Sequence, residues 1–139
     1  MKLPRWGLPL MIALPLTIVA LVSIRTQPST EAQTIACADP VLGCAFEHLG
    51  QTVQLRFSQS PASLQPFTIT LHAPRARQVQ AEFQMQDMEM GFNRYQFAAD
   101  KTGEFAARVT LPVCVSGRRD WKLYLQIDTQ RYAIPFSTS

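Results

Sequence analysis

Val79-Gln80-Ala81-Glu82-Phe83-Gln84-Met85 places apolar side chains at every second position and polar ones between them. A period of two marks a β-strand with one face on a core, because successive side chains of a strand point to opposite faces. The same period recurs upstream. Val53, Leu55 and Phe57 alternate with Thr52, Gln54 and Arg56, and Phe67, Ile69 and Leu71 alternate with Thr68, Thr70 and His72. Downstream, Tyr95 and Phe97 make a short run, and Phe105, Ala107, Val109 and Leu111 alternate with Glu104, Ala106, Arg108 and Thr110. Trp121, Leu123, Leu125 and Ile127 alternate with Lys122, Tyr124 and Gln126, and Tyr132, Ile134 and Phe136 close the series. Turn residues separate these runs, among them Pro74, Asp100-Lys101-Thr102-Gly103 and Gly117-Arg118-Arg119-Asp120. No segment after Ile24 sustains a 3.6-residue period. About seven short strands with one apolar face each predict an all-β domain, an immunoglobulin-like antiparallel β-sandwich. Closure into a barrel is the alternative. Pro61, Pro66, Pro74, Pro112 and Pro135 fall near predicted strand ends, where a missing N–H does least harm.

The N-terminal part reads differently. Residues 6–24 contain no charged side chain, and about 20 apolar residues span a bilayer as a helix. Lys2 and Arg5 precede the run and Arg25 follows it, a bias that keeps the N-terminus cytoplasmic and sends the rest across. Residues 1–25 are therefore expected to be a membrane anchor, with a cleaved signal sequence as the alternative. Residues 26–36 are polar and read as a linker, and 37–139 as the extracytoplasmic domain. Residues 37–49 are expected to form a compact loop that opens it.

The formal charge of +3 comes from the anchor flanks, since Lys2, Arg5 and Arg25 are the whole excess. The exported part is neutral on balance, which argues against nucleic acid as a partner. Enzyme chemistry also lacks its parts: there is no phosphate loop, Cys-x-x-Cys or nucleophile elbow. Three cysteines in an exported domain imply one disulfide and a remaining thiol, or no disulfide. Cys37 and Cys44 lie close enough in sequence to pair, across a loop holding Asp39-Pro40 and Gly43, which leaves Cys114 over.

Chemistry concentrates where the opening strand ends, at Met85-Gln86-Asp87-Met88-Glu89-Met90-Gly91. Met85 continues the core face of Val79, Ala81 and Phe83. An unbroken strand would also turn Asp87 and Glu89 inward, which is costly without partners. A bend or bulge is therefore expected near Asp87, and a turn at Gly91. Met88 and Met90 would then share one face, about 7 Å apart at Cα. Two thioethers are soft donors that suit Cu(I), and Cys114 is the leading third donor. His48 and His72 are weaker candidates and are expected at the surface.

Asp87-Met88-Glu89-Met90-Gly91, Asn93-Arg94-Tyr95, Gly103-Glu104-Phe105, Leu111-Pro112, Gly117-Arg118 and Trp121 together resemble the exported sandwich modules of the YtkA-like and FixH-like type. The resemblance covers about residues 51–127. It implies copper handling in the bacterial envelope and assembly of haem–copper oxidases, and it implicates Met88 and Met90. A His often follows the Met-x-Met-Gly run in that group, where this chain has Phe92 and Asn93. The three cysteines are not part of the general pattern. The resulting expectation is a single-pass bacterial inner-membrane protein with a periplasmic domain and no enzymatic activity. It would bind Cu(I) through Met88, Met90 and Cys114 and serve an envelope partner. The alternative is a non-metal interaction module that uses its Met-rich edge as a protein-binding surface.

Overall fold

The computed structural model describes residues 31–85, 93–113 and 117–138. Within them the protein is all-β: β1 (Gln33–Thr34), β2 (Cys44–His48), β3 (Gln51–Phe57), β4 (Pro66–His72), β5 (Val79–Met85), β6 (Arg94–Gln96), β7 (Ala98–Ala99), β8 (Glu104–Thr110), β9 (Asp120–Ile127) and β10 (Gln130–Ser137). They form two five-stranded sheets, ordered β1-β10-β9-β5-β6 and β2-β3-β4-β8-β7. The pairings between these strands are antiparallel except β1 with β10. The alternating runs of the sequence supply β3, β4, β5, β6, β8, β9 and β10, and their apolar positions are the buried ones, with Tyr95 of β6 partly buried against the core.

The sheets face each other across one hydrophobic core. Phe57 of β3 stacks edge-on to Phe136 of β10 at 5.5 Å, and Phe67 of β4 meets Phe83 of β5 at 6.4 Å. Trp121, Leu123, Leu125 and Ile127 line the centre. Each such side chain contributes about 1.5–3 kcal/mol by leaving water.

Two elements depart from the sequence reading. Residues 44–48, expected as loop, are a strand paired to β3 from Cys44↔Leu55 to His48↔Gln51. Cys44, Phe46 and His48 point inward while Ala45 and Glu47 point out. The period of two is present there, but a thiol and an imidazole occupy positions where aliphatic residues are usual. Gln33 and Thr34, within the expected linker, pair with Tyr132 and Ala133, and Ile35 is buried. A two-residue strand is too short to show a period, and only Ile35 adds apolar burial there.

The register fixes two ends of the sandwich. One end carries the turns 49–50, 73–78, 100–103 and 128–129. Ala73 N donates to Gly103 O at 2.9 Å and Arg77 N to Asp128 Oδ1 at 3.0 Å, tying these turns together. The other end carries Cys44, Phe57, Pro66, Met85, Thr110, Trp121 and Phe136, as the partners Met85↔Trp121, Phe136↔Trp121 and Pro66↔Thr110 require. Along β10, Ala133 O accepts from Ile35 N at 2.9 Å, so its backbone groups face β1. By alternation, those of Pro135 face the same outer edge.

Candidate functional site

Met88, Met90 and Cys114 lie outside the described residues, as do the expected bulge at Asp87 and turn at Gly91. The residues that flank them are described. Met85 is only 2% exposed and sits opposite Trp121 on the core face. The chain rejoins β5 at Asn93, whose carbonyl accepts from Phe83 N at 3.2 Å. Leu111 bridges to Ser63 before Pro112 and Val113, and Arg119 O accepts from Thr138 N at 3.0 Å after Gly117. The described flanks of 86–92 and of 114–116 therefore lie at the same end of the domain.

The route from the far end of β8 to Met85 and Tyr95 crosses the sandwich, because β5 and β6 belong to one sheet and β8 to the other. Tyr95 of β6 spans the gap: its Oη donates to Thr110 O at 2.7 Å and accepts from Thr110 N at 3.2 Å.

Three further residues distinguish this end. Asn93 is 7% exposed, and its buried Nδ2 has no hydrogen-bond partner among the described residues. Buried amides are almost always paired, so an unpaired donor here marks a polar locus beside the Met segment. Leu64 is 66% exposed and holds a positive φ of 61° while its N–H donates to Leu111 O at 2.9 Å. Val113 is 53% exposed. Period-two reading passes over all three, since Asn93 precedes its strand and Leu64 and Val113 lie in connections.

The histidines are elsewhere. His48 is buried, against the expectation of a surface residue, and its Nδ1 lies 2.7 Å from Tyr132 Oη. It occupies an inward position of β2, and the phenol satisfies its polar edge. His72 is on the outer face, with Nδ1 2.7 Å from Glu104 Oε1. Both belong to the end opposite Met85. Among the described residues, no group of three or more His, Cys, Asp and Glu side chains is placed to hold a metal ion.

Cys37 and Cys44 form a disulfide, with Cα atoms 5.5 Å apart. The enclosed loop folds on Asp39: its Oδ1 accepts from Val41 N at 2.8 Å and its carbonyl from Gly43 N at 3.1 Å. Pro40 O accepts from Phe57 N at 2.9 Å, which seats the loop on the end of β3. A loop this short contributes about 2–3 kcal/mol by restricting the unfolded chain. The disulfide thus lies at the same end of the sandwich as Met85 and Asn93.

Compared with protein-family models, curated proteins and solved structures, the chain has no match.

Proposed function

We infer that this chain is a membrane-anchored, extracytoplasmic copper-binding protein of the bacterial envelope. Met88 and Met90 hold Cu(I) as thioethers, with Cys114 as the third donor. The observation that carries this reading is the shared end: the described flanks of 86–92 and of 114–116 converge through Met85↔Trp121 and Tyr95–Thr110. The donor set itself fits. Two thioethers and a thiol are soft ligands, and thioethers resist an oxidising compartment better than thiols do. The Asn93 amide supplies hydrogens, not a lone pair for a soft ion, and suits an acceptor beside the site.

The finer fold assignment is immunoglobulin-like. What supports it is strand order: β3-β4-β8-β7 corresponds to the ABED sheet, and β10-β9-β5-β6 to the GFC sheet with one added strand. Exported modules of the YtkA-like and FixH-like type remain the group this reading favours, with oxidase copper-site assembly or copper homeostasis as the task.

The test is anaerobic competition for Cu(I) between the protein and a chromogenic chelator. Combined Met88→Ala and Met90→Ala should abolish competition, and Cys114→Ser should weaken it. Unchanged competition in the double variant would sink the copper reading. One observation favours a second reading: exposed Leu64 and Val113 adjoin the same end and suit contact with a protein. In that case the double variant loses an envelope partner and no copper.

A further inference from the structure

The edge strand β2 is bracketed by two exposed leucines. It has β3 on one side and no partner strand on the other among the described residues. At five residues it is the longest such edge, since β1 and β7 have two residues each and β6 has three. Leu42, in the disulfide loop before β2, is 76% exposed, and Leu49, in the turn after it, is 69% exposed. They are the two most exposed of the large apolar residues described. Leu49 has φ 49° and Gly50 has φ 73°, and a two-residue turn of this kind favours Asn, Asp or Gly at its first position. Leucine held in the left-handed region without burial directs attention to a use outside the fold.

The hairpin register shows which backbone groups face outward. His48 and Gln51 flank the turn and exchange both ladder bonds, as do the alternate pairs Phe46↔Val53 and Cys44↔Leu55. Phe57 N, next in that series along β3, donates to Pro40 O on the same side at 2.9 Å. The N–H and C=O groups of Ala45 and Glu47 therefore point away from β3, and no described backbone group bonds them. Natural edges are usually short, charged or interrupted by proline. β2 has no proline, and Glu47 is its one carboxylate.

A second copy of β2, antiparallel across a twofold axis, fits this edge in one register. Setting Glu47 opposite Glu47 brings like charges face to face. Setting Ala45 opposite Ala45 calls on Gly43 N, which already donates to Asp39 O at 3.1 Å. Setting Ala45 opposite Glu47 has neither fault and bonds every outward N–H and C=O of those two residues. That register sets Leu49 of each copy level with Gly43 of the other, beside Leu42. The exposed leucines stand at opposite ends of β2, so antiparallel pairing covers both of them in both copies.

We propose that β2 is the interface of a homodimer, formed by antiparallel addition of the β2 strand of a second copy. Ala45 pairs with Glu47, and Leu42 packs on Leu49. A twofold contact uses the same edge on both copies and closes at two. β10 is already covered by β1 at Tyr132 and Ala133, so it offers no competing edge at those positions. The Met85 ends lie at opposite poles of such a pair, and the proposal stands independently of the copper reading.

Sedimentation of the full-length chain in detergent micelles, across protein concentration, tests this and should show a monomer–dimer equilibrium. Ala45→Pro removes an N–H with no use inside the domain, so the monomer should melt near the parent while the dimer is lost. Leu49→Asn suits the turn better and should hold or raise Tm at dilution, yet weaken association about tenfold or more. Leu64→Asn, at an exposed left-handed leucine away from β2, should leave association unchanged. In a Cys114→Ser background, chains with Ala45→Cys mixed with chains carrying Glu47→Cys should join under mild oxidation, since the paired Cα atoms lie about 5.5 Å apart. Glu47→Cys chains alone should not join. A chain that stays monomeric at the highest attainable concentration overturns the proposal. So does a dimer that persists in Ala45→Pro, one weakened equally by Leu49→Asn and Leu64→Asn, or joining within Glu47→Cys chains alone.

Discussion

The Tyr95 hydroxyl satisfies both backbone groups of Thr110, at 2.7 Å to its carbonyl and 3.2 Å to its amide. A residue in an antiparallel strand directs its N–H and C=O to the same side. Those of Thr110 therefore point away from β4, toward the edge where β7 has already ended after pairing with Phe105 and Ala106. A phenol from the opposite sheet takes the place of a missing strand. The same geometry explains why Pro66 is tolerated opposite Thr110, because no ladder bond is needed there.

Tyr95→Phe should leave both Thr110 groups without that partner and cost about 1–2 kcal/mol. Urea unfolding should show a lower midpoint with an unchanged slope. Because the tie lies beside the Met segment, the same variant should also weaken Cu(I) competition without removing a ligand.

Met85 and the pair Met88 and Met90 should separate cleanly. Met85 is buried against Trp121, so Met85→Ala should cost about 2–5 kcal/mol, and Met85→Leu less than about 1.5 kcal/mol. Met85→Leu should leave Cu(I) competition intact. Met88→Leu with Met90→Leu should abolish it while moving Tm little. Thermal unfolding and chelator competition on the same samples distinguish the roles.

Tyr132 anchors a buried polar chain. Its hydroxyl donates to Gln130 Oε1 at 2.6 Å, which leaves it to accept from His48 Nδ1 at 2.7 Å and fixes the proton on that nitrogen. Tyr132→Phe should strand the His48 N–H and cost about 1–3 kcal/mol. Burial also pushes the Tyr132 phenol above its ordinary value of 10.0. A raised folded-state value means the contribution is whole below the unfolded value and is lost as pH rises through the folded one. Stability should therefore fall above about pH 10 in the parent and lose that component in Tyr132→Phe, as read by denaturant midpoints across pH.

Gly103 packs its Cα against the 73–78 turn. At φ 85°, a Cβ would lie 2.5 Å from Pro74 Cα, a backbone atom that cannot step aside. Gly103→Ala should cost about 2–4 kcal/mol from left-handed strain plus the clash. The Thr102 hydroxyl, then the Thr102 and Glu104 amides, hold the neighbouring Asp100 carboxyl below its usual value. Its contribution is present above the unfolded value and fades as pH falls through the lower folded one. Asp100→Asn should flatten that acid limb in pH-dependent melting.

The fold was largely legible because most strands bury one face, so alternation at Val79–Met85 or Asp120–Ile127 survives in the residue types. It was obscured at β2, where Cys44 and His48 stand inward, and at β1, which is held by pairing with β10 more than by burial. Met85 could be assigned to the core from spacing alone. The neighbours of the candidate site could not, since Tyr95–Thr110 joins two sheets and depends on how they stack. Leu49 and Leu64 were silent for another reason: their left-handed backbone is a property of turns, and leucine does not announce it.

Pro135 has a consequence for how the domain meets copies of itself. β1 covers β10 only at Tyr132 and Ala133, so the strand continues past its cover, and the next outward-facing backbone position is a proline that offers no hydrogen. A foreign strand approaching there finds the row of donors interrupted. The domain thereby keeps a bare β-edge from recruiting copies of itself, and the protection is covalent: it survives transient fraying of the two-residue cover beside it.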